Sequence, residues 1–228
     1  MRTLLVPLLL ICATPLAAED PPLPALLPAG SLGAGAGAGG ALKALVLAHD
    51  LYRHGLARKD AQAVIAAARI AGSIAQTDGA PLPRSRTGAE EGATPPPPLA
   101  DPAQMLADAR VLAGEDDLTL MLIEAAERSL SAPPDRTVTR QTMALAAGAE
   151  DQWQVPFFGA AEAELAVIGN GGQDLDIRVT DAEDAVLCRD LSAGDRLFCA
   201  FAPAENTTVT VTIANPGAGD AAYLLLTN

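Results

Sequence analysis

Near Val138 the hydrophobic period of this chain changes from about 3.6 residues to about 2, so the fold must be helices followed by strands. Before the switch, apolar residues recur at three- and four-residue steps. After it they alternate singly: Trp153-Val155-Phe157, Leu175-Ile177-Val179, Leu197-Cys199-Phe201, Val209-Val211-Ile213 and Tyr223-Leu225. Turn material separates these runs at Gly169-Asn-Gly-Gly172, Asp181-Ala-Glu-Asp184, Ser192-Ala-Gly-Asp195 and Asn215-Pro-Gly-Ala-Gly219. Short alternating strands between regular turns predict an antiparallel β-sandwich over 138–228. The expected fold class is α+β with segregated halves.

The helical half divides in two. Residues 41–76 predict a helical hairpin. Leu42, Leu45, His49, Tyr52 and Leu56 share one stripe, and Gly55 is expected to loosen the end of the first helix. Asp60 stands where it can cap a second helix carrying Val64, Ile65, Ala68, Ala71 and Ala75. Residues 77–100, rich in Pro and Gly and ending in Pro95-Pro96-Pro97-Pro98, are expected to be a stiff linker. A second hairpin is expected over 101–131. Asp101-Pro102 starts one helix with Met105, Leu106, Ala109 and Leu112 inward. Gly114 stops it, and Asp116-Asp117 start another carrying Leu118, Met121, Leu122 and Ala125. No internal repeat supports a solenoid, so a small helical bundle is the expectation.

The N-terminus reads as an export signal. Arg2, the apolar run Leu4 to Cys12, and small residues through Ala17-Ala18 predict a signal peptide over 1–18. The run is shorter than the roughly 18 to 20 residues of a spanning helix, and no later segment is long and apolar enough either. Residues 19–40, with Pro-Pro-Leu-Pro and Gly33-Ala-Gly-Ala-Gly-Ala-Gly-Gly40, read as a flexible leader. No Lys-Ser or Lys-Thr follows those glycines, so they are no phosphate loop. Losing Arg2 and no acid takes the formal charge from −13 to −14. That balance excludes nucleic acid and anionic lipid surfaces as partners, because both need Lys and Arg. A bacterial periplasmic or secreted location follows.

Cys12 leaves with the signal, and Cys188 and Cys199 remain. An even pair in an oxidising compartment predicts a disulfide. A hairpin turning at Ala193-Gly194 would set the two cysteines opposite each other on paired strands, within disulfide reach. No Cys-x-x-Cys spacing supports a redox role.

The run Gly169-Asn-Gly-Gly-Gln-Asp-Leu-Asp-Ile-Arg-Val-Thr-Asp181 resembles the bacterial pre-peptidase C-terminal domain, as do Phe201-Ala-Pro203, Val209 to Ile213, Asn215-Pro-Gly217 and Tyr223 to Leu226. The resemblance covers about 142–228. It implies a β-sandwich of jelly-roll-like topology and an accessory or binding role in an exported protein. Asp184 stands where that family carries a turn Gly, in a conformation Asp tolerates better than most residues. The Cys188/Cys199 pair is not a family feature, and the chain has no room for the peptidase such domains trail.

Asp174 and Asp176 share a strand face, and Asp181 follows in the next turn. With Asn170 and Asp184 nearby they could offer oxygens to calcium, which takes six to eight, or line a solvated face beside Arg178. His49 and His54 point about 140° apart on a helix, which does not copy the zinc pair at i and i+4. Trp153, Phe157 and Phe158 serve either as a binding platform or as core. No Gly-x-Ser-x-Gly elbow is present. No constellation specifies a reaction or a cofactor. The sequence therefore points to an exported non-catalytic module contacting an envelope protein or glycan. The alternatives are a secreted hydrolase using carboxylates or a histidine, and a calcium-dependent structural module.

Overall fold

The computed structural model describes residues 40–89, 99–134 and 136–228. The expected signal peptide, all of the leader except Gly40, and Pro95–Pro98 lie outside them. Helix α1 (Ala41–Arg58) and helix α2 (Ala61–Gly72) form an antiparallel pair. Asp60 caps α2, its carboxylate accepting the Gln62 and Ala63 amides at 3.0 Å. Gly55 does not loosen α1, which continues to Arg58. A Cβ there would lie 2.7 Å from the Val64 side chain, so this glycine is where the two helices touch. Helix α3 (Pro102–Ala113) and helix α4 (Asp117–Leu130) follow, capped by Asp101 and Asp116.

The strands build two five-stranded sheets. One sheet orders β1 (Ile74–Asp78), β3 (Arg136–Leu145), β10 (Ala221–Thr227), β5 (Ala163–Gly169) and β8 (Arg196–Phe201). The other orders β2 (Arg84–Thr87), β4 (Glu150–Phe157), β9 (Thr207–Ala214), β6 (Asp176–Thr180) and β7 (Val186–Asp190). Among the described residues only the β1–β3 pair is parallel, with the α3–α4 hairpin in the connection between its strands. The fold is α+β: a β-sandwich with the helices on one outer face.

That arrangement makes two cores back to back. Leu165, Val167, Tyr223 and Leu225 face the second sheet, where they meet Trp153, Val155, Ile177 and Val211. Ala166, Ile168, Leu224 and Leu226 point the other way, into Leu42, Leu45, Val64 and Met105 of the helices. Every residue of β5 and β10 is buried. A strand covered on both faces reads as a continuous apolar run, which is why β5 shows no alternation in the sequence.

Three expectations need correction. The tract 77–100 is not only a linker, and the first hairpin tract ends in a strand, because β1 and β2 add one edge strand to each sheet. Gly79-Ala-Pro-Leu-Pro83 carries the chain between them, anchored by Gly79 N–H on the Arg140 carbonyl and Gln154 N–H on the Pro83 carbonyl. Edge strands tolerate flanking prolines, and the inward residues of β2 are charged, so neither strand shows an apolar period. Second, α4 buries Thr119, Ile123 and Ala126 and turns Leu118, Met121 and Leu122 outward. It packs on α2 and α3 at the edge of the helical layer, with Leu130 filling the space beside Gly72.

Third, the disulfide forms with a Cα–Cα distance of 5.8 Å, but not across paired hairpin strands. Cys188 lies on β7 and Cys199 on β8, which are edge strands of different sheets. The Ser192–Asp195 turn crosses the sandwich instead of closing a two-stranded ladder. Asp190 braces that crossing by accepting the Ser192 amide at 3.1 Å and the Phe198 amide at 3.1 Å.

Candidate functional site

Helix α1 lies against β5 and β8, and where it meets α3 a cleft of about 270 Å³ opens at the seam of helices and sandwich. His49, Tyr52 and Arg53 line it from α1, and Gln104 and Asp108 from α3. Leu99 and Ala100 form an apolar patch, and the sandwich contributes Gly169, Asn170 and Arg196.

The floor of the cleft is ionic. Asp195, almost fully buried, accepts Arg53 Nη1 at 2.9 Å and holds the Gly171 amide. Arg196 reaches Asp50 through Nε. Its Nη1 sits 2.8 Å from Asp195 Oδ1 as an ion pair but lacks hydrogen-bond geometry, and it has no hydrogen-bond partner. Gly169 is needed here, since a Cβ would fall 2.5 Å from the Asp195 side chain. On the rim the Tyr52 hydroxyl donates to Asp108 Oδ2 at 2.5 Å, and Gln104 Nε2 donates to Asp108 Oδ1 at 3.0 Å. Burial first, then this bond to a carboxylate, pushes the Tyr52 pKa up.

His49 is held neutral. Burial and the neighbouring Arg196 charge lower its pKa to about 4, against the smaller pull of Asp50 and Asp195. Among the described residues lining this cleft the one side-chain hydroxyl is that of Tyr52, which is bonded to Asp108, and Thr142 shares an adjoining cleft with His49. What the cleft offers is hydrogen bonding, with donors and acceptors on both walls.

The residues singled out in the sequence do not gather. Asp174 Oδ1 accepts the Gly194 amide at 2.6 Å. Asp181 Oδ1 takes the amides of Glu183 and Ala185 in the β6–β7 turn, at 3.0 and 2.8 Å. Asp184 closes that turn with a left-handed φ of 62°. Asp176 lies on the outer face, its pKa raised by partial burial and by the charges of Asp174 and Asp190. Among the described residues no three His, Cys, Asp or Glu side chains come close enough to share a metal ion. Trp153 and Phe157 are core residues, Phe157 packing edge-on against Phe201 at 5.4 Å between centroids. His54 is exposed, away from the buried His49.

Sequence reasoning missed Arg53, Asn170, Asp195 and Arg196 as a group. Each sits in a stretch that reads as a helix face or a turn, and only the packing of α1 across β5 and β8 brings them together.

The fold defines a β-sandwich protein with a helical layer, and its sandwich is similar to solved structures of that type. The pre-peptidase C-terminal domain of a collagenase from Bacillus anthracis is 14% identical over 40% of this chain and 88% of that one, with a TM-score of 0.33. A periplasmic inhibitor of g-type lysozyme from Aeromonas hydrophila is 11% identical over 40% and 84%, at 0.29. A carbohydrate-binding module solved with calcium and xylotriose is 9% identical over 39% and 86%, at 0.26. None of these likenesses carries a ligand or an activity over. No family model and no curated protein matches the chain.

Proposed function

We propose that this chain is an exported, non-catalytic binding module of a bacterial envelope, and that it holds a hydroxyl-rich saccharide unit in the cleft between helices and sandwich. One observation carries the reading: a polar cleft whose charges are already paired and whose one lining hydroxyl, that of Tyr52, is bonded to Asp108. Each sugar hydroxyl both donates and accepts, so it suits walls that mix Arg53, Gln104 and Asn170 with Asp108. An anionic ligand would have to face Asp108, and the guanidinium groups of Arg53 and Arg196 are already paired with Asp195 and Asp50. The apolar patch of Leu99 and Ala100 suits the C–H face of a sugar ring.

Export is supported by the signal-peptide pattern of residues 1–18 and by a disulfide of the kind that persists in oxidising compartments. Titration calorimetry of the exported chain with oligosaccharides released from the cell envelope tests the reading. Binding should weaken in Gln104→Ala and Asn170→Ala, with the melting temperature unchanged. Binding that ignores both substitutions, or glycan turnover abolished by His49→Ala, would overturn it.

A further inference from the structure

The face of α4 that turns outward carries an apolar stripe of its own. Leu118 and Met121 are each 65% exposed and Leu122 is 42% exposed, with Ala125 exposed one turn further on. These four stand at i, i+3, i+4 and i+7, a continuous stripe on one side of the helix. Val111, 81% exposed, is a further outward apolar residue on α3, just before the turn that joins the two helices. Scattered surface apolar residues are ordinary, but a continuous stripe of this kind marks a contact surface.

The charges beside the stripe indicate what covers it. Asp117, Glu124 and Arg128 follow one flank, an acid at the start of the helix and a cation near its end. Consider a second α4 laid antiparallel about a two-fold axis passing between Met121 and Leu122. Leu118 then meets Ala125 of the other copy, and Met121 meets Leu122. The two-fold keeps equal flanks on the same side, so Asp117 of the other copy falls between Glu124 and Arg128, about 3 Å along the axis from each, with Arg128 turned closer to the contact. Ala125 leaves room for the facing Leu118, and the helix dipoles run opposed. A parallel two-fold pair would carry these flanks to opposite sides of the contact, so Arg128 would meet no Asp117 of the other copy. A purely basic partner would satisfy Asp117 and Glu124 and leave Arg128 against like charge.

We infer that α4 is a self-association helix, and that a second copy of this chain covers Leu118, Met121, Leu122 and Ala125 in an antiparallel, two-fold contact. Such an interface is isologous, each patch serving as its own complement.

Sedimentation equilibrium of the exported chain should show a monomer–dimer equilibrium. Met121→Glu and Leu122→Lys should each raise the dimer dissociation constant about tenfold or more, since they place a charge at the centre of the contact. Both positions are exposed in the single chain, so the urea midpoint should stay in place and separate lost contact from lost fold. Arg128→Glu and Asp117→Arg should each weaken the dimer at low salt, and the double substitution should restore it by exchanging the charges. A chain that stays monomeric throughout overturns the inference. So does a dimer indifferent to Met121→Glu and Leu122→Lys, or a double variant no tighter than either single one. The saccharide reading concerns the other side of the helical layer, and its calorimetry is independent of these outcomes.

Discussion

The Tyr223 hydroxyl donates a 2.6 Å hydrogen bond to the Asp151 carboxylate, linking the central strand of one sheet to the inner face of the other. The same hydroxyl accepts Trp153 Nε1 at 2.9 Å. Asp151 in turn takes Arg84 Nη1 at 2.7 Å and both Nε and Nη2 of Arg86, at 2.7 and 2.8 Å. A buried carboxylate needs this much company. Burial alone would raise the Asp151 pKa, but the bonds from Arg86 and Tyr223 and the charges of Arg86 and Arg84 outweigh it and hold it low. The network also explains how a strand with no apolar pattern stays attached, because β2 is fastened by its two arginines.

Asp151→Ala removes the carboxylate and leaves two partly buried guanidinium groups facing each other. The expected loss is about 3–5 kcal/mol in urea unfolding, the usual cost of breaking one side of a buried pair. Tyr223→Phe leaves the charges matched and should cost less, about 1–3 kcal/mol, for bonds left unmade by Trp153 and Asp151. Equally small losses in both variants would mean that water reaches the carboxylate.

His49 and Asp151 give stability a pH dependence of the same sign. His49 titrates near 4 in the folded chain and near 6.5 when unfolded. Below 6.5 the unfolded state takes up a proton that the folded state refuses, so stability falls between pH 6.5 and 4, by up to about 3 kcal/mol. The Asp151 contribution is complete above the ordinary carboxylate pKa and is lost as pH falls through its lowered folded value. His49→Gln should therefore flatten the urea midpoint between pH 6.5 and 4, leaving the acid limb to Asp151 and the other carboxylates held low, Asp190 and Asp116. A variant that keeps the wild-type slope in that upper window would assign it elsewhere.

How much of this was legible in the sequence depended on whether a feature is local. The caps at Asp60, Asp101 and Asp116 read directly, because the residue and the amides it satisfies are two or three positions apart. Strands covered on one face, such as β4 and β9, showed their period. Strand β5 did not, because its second face is buried under α1. The polar strand β2 was invisible, since its inward arginines answer an aspartate some 65 residues away. The cysteine pairing could be read from compartment and count, but not which sheet each cysteine joins. The cleft was illegible for the same reason: nothing in α1 marks Arg53 as the partner of Asp195.

Asp176 shows the opposite electrostatic sign to Asp151. Partial burial and two nearby carboxylates raise its pKa, so its charge opposes folding once pH exceeds the unfolded value. Asp176→Asn should raise the melting temperature at neutral pH. The nearby Asp174 and Asp181 already accept backbone amides, so calcium and EDTA should leave both melting curves in place. A calcium-dependent rise in the wild type that Asp176→Asn abolishes would instead establish a cation site there.

The disulfide closes the edge of the sandwich that β7 and β8 leave open, while the Gly79–Pro83 crossing closes the opposite one. With a sequence separation of 11, the bridge should contribute about 3 kcal/mol on the chain-entropy model. Cys188→Ser combined with Cys199→Ser should lower the urea midpoint accordingly. Because the bridge joins sheets, the loss should be local. Amide exchange should accelerate in β7 and β8 while β2 and β4, fastened by Asp151, keep wild-type protection. A hairpin bridge would loosen only the turn between its own strands, and faster exchange confined to 191–195 would restore that simpler arrangement.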